Sequence, residues 1–161
     1  MLFLLFQMGN ERYALDTRQV VEVVPLLEIK TLPQSPKGIA GIFNYRGKPV
    51  PAVDLCELAM GKRARERLST RIIIMNLRAE SGGEHLLGII AESATEMLRK
   101  DPAEFVDSKL RIEAAPYLGP VFMDANGAIQ WINERHLLSH EIQNLIFAET
   151  TYPKLNEHGT D

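Results

Sequence analysis

The side chains best able to do chemistry in this sequence are few, and their spacing argues against a catalytic or metal site. His136 and His140 stand four residues apart, the spacing that puts two metal ligands on one face of a helix. Without a third ligand nearby, we interpret them as surface histidines of a helix. Ser139 and Glu141 flank His140 directly, so the three side chains would point apart and cannot form a catalytic triad.

The remaining candidates also lack the pattern that their chemistry requires. Asp101, Glu104 and Asp107 are not accompanied by the alternating ligands and central glycine of a calcium loop. Cys56 is the only cysteine, which excludes an intrachain disulfide, a CxxC redox pair and a cysteine-based zinc site. Its apolar neighbours favour a buried structural thiol. The sequence therefore predicts a protein that is not an enzyme and that has no metal or cofactor.

Length and composition are those of a globular protein with one domain or two small lobes. The chain has 161 residues, of which 45% are hydrophobic and 24% are charged. Its net charge of -3 produces no overall field that would attract nucleic acid or an anionic membrane. Residues 61–68 form a local basic exception, which is either a solvated loop or a basic contact surface.

The apolar N-terminus predicts a buried strand rather than a targeting or membrane segment. Residues 1–8 have no positively charged start and no small-residue cleavage site. No run in the chain reaches the ~18 apolar residues that span a bilayer. We expect a cytoplasmic protein without direct membrane insertion, and the single cysteine agrees with a reducing compartment.

Short strands separated by turn residues account for most of the chain, which favours an all-β sandwich or barrel. Two hairpins are predicted, one turning at Arg46 and Gly47 and one at Asn126 and Gly127. A short helix is expected after Asp54 as its N-cap, ending at Gly61. The other predicted strands span residues 1–8, 13–16, 20–24, 70–77 and 85–98.

A C-terminal helix is predicted over residues 134–149, with Asn133 as its N-cap. Its apolar face would consist of Leu137, Leu138, Ile142, Leu145 and Ile146. Residues 151–161 are polar and are expected to form a flexible tail. The hydrophobic residues divide into two groups near residue 65, which indicates two small barrels that share the N-terminal strand or pack face to face.

Two charged residues stand where their neighbours would be buried. Glu22 interrupts the apolar strand of residues 20–24, and Arg46 follows an apolar strand at a tight turn. A carboxylate in such a strand either faces water or needs a partner. One interpretation is an exposed position on the sheet. The other is a contact between Glu22 and Arg46, since the planar guanidinium group suits a carboxylate better than lysine does.

These residues lie in a pattern that resembles the CheW-type coupling proteins of bacterial chemosensory arrays. The pattern is carried by YALD at 13–16, VVEVV at 20–24, SPKGIAGIFNYRG at 35–47 and KPVPAVDL at 48–55. The second half agrees in the spacing of RIIIMNL, LLGIIAESATEML and GAIQWINERHLL. Tyr45 departs from the leucine that is usual before the Arg-Gly pair. In overall character, the chain is similar to coupling proteins of the surface-sensing Wsp-type pathway.

The resemblance implies an all-β fold of two five-stranded SH3-like barrels with short helices and a C-terminal helix. It predicts one domain over residues 1–150, with a first barrel at about 16–68 and a second made of about 1–15 plus 69–150. It also implies a non-catalytic adaptor that couples methyl-accepting chemoreceptors to a CheA-type histidine kinase. The expected partners are the regulatory domain of the kinase and the cytoplasmic tip of the receptor, so the protein would be recruited to membrane-associated arrays.

The same resemblance implies where the partners bind. The residues that would line an apolar groove for the receptor helix are Leu4, Val20, Val23 and Ala94. The turn that would lie near the kinase contact consists of Arg46, Gly47, Lys48 and Pro49. Glu22 and Arg46 would form a charge pair at this partner surface.

A barrel that binds nucleic acid or a small ligand is the alternative function, because five-stranded barrels serve both purposes. The net charge and the lack of basic residues interleaved with aromatic residues on a strand argue against nucleic acid. The lack of a convergent set of polar residues argues against a small-ligand carrier.

Overall fold

Strands dominate the computed structural model, which describes residues 1–78 and 82–147. Its strands are β1 (Leu2–Met8), β2 (Glu11–Asp16), β3 (Val20–Pro25), β4 (Ile39–Tyr45), β5 (Lys48–Asp54), β6 (Arg71–Arg78), β7 (Glu84–Arg99), β8 (Leu118–Asp124) and β9 (Gly127–Ile132). Its helices are α1 (Leu55–Met60) and α2 (His140–Ile146). The predominance of short strands confirms the predicted fold class. Neither helix in this part of the chain has the length and apolar character needed to cross a membrane.

The first barrel is built from β3, β4, β5, β6 and the first half of β7. β6 pairs antiparallel with both β3 and β7, β7 pairs parallel with β5, and β5 forms the antiparallel hairpin with β4. Beyond β3 the chain returns to the β4 edge. There the Lys30 amide donates to the Ile42 carbonyl at 2.8 Å, and the Ile42 amide donates to the Lys30 carbonyl at 2.9 Å. This pair of hydrogen bonds closes the sheet.

The second barrel repeats this order of antiparallel and parallel pairs with other strands. The second half of β7 pairs antiparallel with β1, β1 antiparallel with β2, β2 parallel with β9, and β9 antiparallel with β8. The segment after β7 closes the sheet at β8, where the backbones of Val106 and Val121 exchange hydrogen bonds of 2.8 and 2.9 Å. Each barrel is thus a five-stranded sheet whose edges meet.

The strand pairing corrects two expectations. The strand shared by both barrels is β7 rather than the N-terminal strand, because its 16 residues are enough to pair with β5 and β6 at one end and with β1 at the other. β6 pairs with β3, so the strands of the first barrel continue past the predicted boundary at residue 68. Strand pairing between distant segments, rather than position in the sequence, defines the two units.

Among the described residues, the buried side chains form three groups, one within each barrel and one between them. On β6, Ile72 and Ile74 face the interior of the first barrel, whereas Ile73 belongs to the group between the barrels. On β1, Phe3 faces the interior of the second barrel and Leu4 the group between them. Successive side chains of a strand point to opposite faces, so a strand between two cores is apolar on both. This explains the uninterrupted apolar runs in both segments.

Both predicted hairpins and the first helix are present. Tyr45 lies opposite Lys48, so the first hairpin turns at Arg46 and Gly47 as predicted. Asp124 lies opposite Gly127, so the second turns at Ala125 and Asn126, one residue before the predicted Asn126 and Gly127. Asp54 caps α1 by accepting a hydrogen bond from the Glu57 amide at 3.2 Å, and the helix ends at Gly61. These features depend on neighbouring residues, which is why local patterns predict them.

The predicted C-terminal helix is present, but it is not one continuous helix from residue 134. Asn133 caps only a short 3-10 turn, Glu134–His136, and α2 begins separately after Ser139. The Ser139 hydroxyl accepts a hydrogen bond from the Ile142 amide at 3.2 Å, as serine does at a new helix N-cap. His136 and His140 therefore do not lie on one helix. The last predicted helical residues and the predicted tail fall at 148–161, outside the described residues.

The predicted apolar face of that helix is also only partly buried. Leu137 and Leu138 are buried in the group between the barrels. Ile142 and Ile146 pack against the same group, but Leu145 is 66% exposed. Ser139 has an extended backbone conformation, so the helical periodicity across it does not describe one surface.

Candidate protein-interaction site

The turn between β4 and β5 holds both of its central residues in a left-handed conformation. Arg46 has a φ of 51° and Gly47 a φ of 84°. A two-residue turn of this kind matches the twist of the paired strands, but the left-handed conformation costs a residue other than glycine about 1–2 kcal/mol. The Gly47 amide donates to Asn44 Oδ1 at 2.8 Å, which stabilises the turn. An arginine in this unfavourable backbone position indicates a role for its side chain.

Glu22, Tyr45 and Arg46 form one hydrogen-bonded group across β3 and β4, which we call the Glu22–Tyr45–Arg46 group. Arg46 Nη2 donates to Glu22 Oε2 at 3.2 Å, and the Tyr45 hydroxyl donates to the same oxygen at 2.7 Å. The guanidinium carbon of Arg46 lies 5.2 Å from the centre of the Tyr45 ring, within cation–π range. The hydrogen bond to Glu22 raises the pKa of Tyr45, so the hydroxyl remains a donor at neutral pH.

The charges of this group are open to solvent. The side chains of Arg46 and Glu22 are 74% and 38% exposed. An ion pair this exposed contributes less than about 1 kcal/mol to folding, because water screens the charges. The ion pair between Arg46 and Glu22 therefore contributes little to stability, and the guanidinium group is accessible to a partner.

A surface cavity of about 450 Å³ lies beside the turn. Its lining residues are Glu28, Lys30, Ile42, Phe43, Asn44, Gly47, Lys48 and Pro49. The four residues predicted for the kinase contact, Arg46 to Pro49, are all exposed. The lining combines apolar side chains with a charged rim of Lys30, Lys48 and Glu28. Protein interfaces use this combination, since the apolar area is buried and the rim stays polar.

The four residues predicted to line a receptor groove contribute to one apolar group, but two of them do not reach the surface. Leu4 and Ala94 are 4% and 1% exposed and belong to the core between the barrels. Val20 and Val23 are partly buried and pack against that core. The prediction that Leu4 and Ala94 contact a partner directly is therefore not supported by their burial, because β1 and β7 lie between two packed layers.

A bulge in β3 places Val20 and Val23 on the same face. The register of β3 against β6 shifts between Val20 and Glu22, so Val21 has no partner on β6 and is 50% exposed. In a regular strand, residues three apart face opposite sides. The extra residue returns Val23 to the face of Val20 and turns Glu22 toward Tyr45. The bulge thus separates an apolar pair from the charged group on one strand.

A buried carboxylate that sequence analysis missed lies near α1. Glu92, whose side chain is 8% exposed, accepts hydrogen bonds from Arg65 Nε at 2.8 Å and from Cys56 Sγ at 3.2 Å. Burial alone would raise the pKa of Glu92, but the hydrogen bonds from Arg65 and Cys56 lower it below its usual value. A charged residue inside an apolar strand was the available signal, the same one that marked Glu22.

The basic segment at 61–68 is an ordered loop attached to this buried carboxylate. Besides the contact between Arg65 and Glu92, the Ala64 amide donates to Asp54 Oδ2 at 2.9 Å. The Thr70 hydroxyl also donates to the Arg65 carbonyl. The positive charge of Arg65 is therefore paired with Glu92 within the protein. Across the described residues, no group of three histidine, cysteine or acidic side chains is placed to hold a metal ion.

Cys56 is expected to react slowly with thiol reagents. Burial, together with the hydrogen bond to the Glu92 carboxylate, raises the pKa of Cys56 to about 12. At pH 8, we expect DTNB to modify the native protein at least ~50-fold more slowly than the guanidinium-unfolded protein, whose thiol has its ordinary pKa. The variant Cys56→Ser should show no reaction in either state. A native rate within ~5-fold of the unfolded rate would contradict a buried, hydrogen-bonded thiol.

Comparison with known proteins agrees with this architecture. The family model described as CheW-like domain matches residues 2–141. The chain belongs to this family. Chemotaxis protein CheW of Klebsiella aerogenes is 26% identical over 147 residues, covering 91% of this chain and 82% of that protein. Protein FrzA of Myxococcus xanthus is 26% identical over 147 residues, covering 89% of each.

A solved CheW structure has the same fold. The crystal structure of the scaffolding protein TtCheW from Thermoanaerobacter tengcongensis matches with a TM-score of 0.73 and 25% identity, covering 86% of this chain and 87% of that chain. The CheW-like architecture of two five-stranded SH3-like barrels is thus confirmed. The chain is a CheW-like scaffold protein of chemotaxis-type signalling, and proteins of this family are adaptors rather than enzymes.

Proposed function

We propose that this CheW-like protein is a non-catalytic adaptor that couples methyl-accepting chemoreceptors to a CheA-type histidine kinase. It acts in the cytoplasm and is recruited to membrane-associated receptor arrays. The single observation that carries the proposal is the Glu22–Tyr45–Arg46 group, which exposes the charged side chains of Glu22 and Arg46 at a left-handed hairpin turn. The left-handed backbone at Arg46 is unfavourable, and the exposed ion pair contributes little to stability. Both facts support selection for binding rather than for folding.

The kinase contact is assigned to the turn from Arg46 to Pro49 and the cavity beside it. Arg46 is the strongest candidate for an anchor, because arginine is enriched at interface hot spots and binds carboxylates through charge-assisted hydrogen bonds. Lys30 and Lys48 add two positive charges at the rim and Glu28 adds one negative charge. Ile42 and Pro49 provide apolar area. We infer that the regulatory domain of the kinase presents an acidic side chain next to an apolar one at this position.

The receptor contact is assigned to the partly buried face of β3 that carries Val20 and Val23. Both side chains pack against the core between the barrels, so a receptor helix that docks there extends an existing apolar group. Leu4 and Ala94 support this face from inside, since both are buried beneath it in the same group. The two contacts therefore lie on different parts of one rigid unit.

Rigid barrels suit a coupling role. An adaptor must hold two partners at a fixed relative position, which requires contact residues on ordered strands rather than on long loops. β3 supplies both Glu22 and the valine pair, so the kinase and receptor contacts are separated by only a few residues of one strand. Weak individual contacts are sufficient, because an array repeats them and avidity holds the assembly together.

Val20→Lys is expected to weaken receptor binding selectively. A lysine at this partly buried position places a charge within the apolar contact, so affinity for the receptor tip should fall by about 10-fold or more. Affinity for the kinase regulatory domain should change by less than ~2-fold, since the turn at Arg46 is unaltered. Co-sedimentation with the purified receptor signalling fragment and calorimetric titration of the purified kinase domain measure the two affinities.

Val21→Lys is the matched control for this experiment. Val21 is the bulged residue, is 50% exposed and does not pack against the core, so the same substitution should leave both affinities unchanged. Equal loss of both partners in folded Val20→Lys would overturn the assignment of β3 to the receptor. Failure of the folded wild-type protein to bind either partner would refute the coupling function itself.

A further inference from the structure

Tyr45 occupies a position between the core of the first barrel and the charged surface group. Its side chain is 8% exposed and packs with Phe43, Val50 and Ile72 in the barrel interior. Its hydroxyl nevertheless reaches Glu22 Oε2 at 2.7 Å, which is shorter than the 3.2 Å contact of Arg46 with the same oxygen. The orientation of Glu22 is therefore held by a ring that packing immobilises, rather than only by a flexible arginine.

Arg46 contacts Tyr45 as well as Glu22. Its guanidinium carbon lies 5.2 Å from the ring centre, and Nη2 is its only guanidinium nitrogen with an acceptor among the described residues. A long side chain that is 74% exposed would otherwise sample many rotamers. The ring face and the fixed carboxylate restrict these rotamers, and most N–H donors of the guanidinium group remain available to another molecule.

A leucine at this position would supply neither contact. Leucine has no hydroxyl to donate to Glu22 and no π face to receive the guanidinium group. Replacing Tyr45 with leucine would therefore change how Arg46 is held without changing Arg46 itself.

We propose that Tyr45 is a positioning residue that preorganises Arg46 to bind a carboxylate on the kinase regulatory domain. This inference rests on the function proposed above. Tyr45 is too buried to contact the partner, so its effect on binding passes through Glu22 and Arg46. Restricting a side chain before binding lowers the entropy lost on association, which strengthens binding without adding a contact.

The test compares calorimetric dissociation constants for the purified kinase regulatory domain. Tyr45→Phe removes only the hydroxyl and should weaken binding about 3-fold; Tyr45→Leu removes the ring face as well and should weaken it about 10-fold. Tyr13→Phe is the matched control, since Tyr13 lies in the second barrel and its hydroxyl has no hydrogen-bond partner among the described residues. This control should bind like the wild-type protein.

A double-mutant cycle separates positioning from a general structural effect. In an Arg46→Gln background, Tyr45→Phe should cause no further loss of affinity, because there is no guanidinium group left to position. Equal losses with and without Arg46 would overturn the inference. The inference would also be overturned if folded Tyr45→Phe bound the kinase domain as tightly as the wild-type protein while Arg46→Gln bound it more weakly. The coupling function would stand in that case. Absence of binding by the wild-type protein would instead refute the proposed function.

Discussion

Arg46→Glu is expected to raise the dissociation constant for the kinase regulatory domain by about 30-fold or more while the protein keeps its fold. The substitution replaces a cation 3.2 Å from Glu22 with a second carboxylate, and it repels the acidic partner side chain that we infer. The fold should persist because the native pair is exposed and contributes less than about 1 kcal/mol to stability. Calorimetric titration and thermal melting measure the two properties.

Lys109→Glu is the control for charge and backbone conformation. Lys109 is exposed, has a φ of 62° and follows β7 in the second barrel, so it matches the left-handed setting of Arg46 away from the proposed contact. Both variants have a formal net charge of -5, two units below the wild-type value of -3. Kinase binding should fall only in Arg46→Glu. Loss of cooperative melting in that variant would instead identify Arg46 as a structural residue.

Gly41→Ala is expected to destabilise the protein by about 3 kcal/mol or more and to lower its melting temperature by about 6–12 °C. Gly41 has a φ of 144°, and a Cβ atom there would lie far inside 3.0 Å of the Lys30 carbonyl oxygen. That carbonyl accepts the Ile42 amide in the pair of hydrogen bonds that closes the first barrel. Neither backbone can move away without opening the sheet.

Gly47→Ala provides the matched comparison. Gly47 also has a positive φ, 84°, but a Cβ atom there would meet nothing within 4 Å. Gly47→Ala should therefore lower the free energy of unfolding only by the cost of the left-handed backbone conformation, about 1–2 kcal/mol. Urea denaturation of both variants measures the difference. Similar stabilities would show that the barrel edge at Lys30 adapts to a side chain and that its closure contributes little to folding.

Features that depend on a few neighbouring residues were predictable from the sequence. The Asn-Gly pair at 126–127 correctly indicated a tight hairpin, although the turn lies one residue earlier, at Ala125 and Asn126. Asp54 and Gly61 specify both ends of α1, because caps are formed by adjacent backbone groups. Apolar residues on both faces of β1 indicated a strand between two layers. The family pattern around Glu22 and Arg46 located the candidate contact.

In the C-terminal segment, the apolar periodicity of a helix overlaps the N-cap of a second helix. The spacing of Leu137, Leu138 and Ile142 predicts a helix, and this periodicity runs through Ser139. Ser139 is itself a strong N-cap, and in the structure it starts a separate helix. Leu137 and Leu138 before the break and Ile142 after it all contact the core between the barrels, so apolar periodicity alone could not locate the break.

Other properties were determined only by tertiary structure, because they depend on which distant segments pair and in what register. The length of β7 was visible in the sequence, but its division between two barrels follows from pairing with β1 and β6. The bulge at Val21 puts Val20 and Val23 on one face, and burial between two packed layers removes Leu4 from the surface. Such pairing depends on the summed contacts of whole strands, which no short pattern contains.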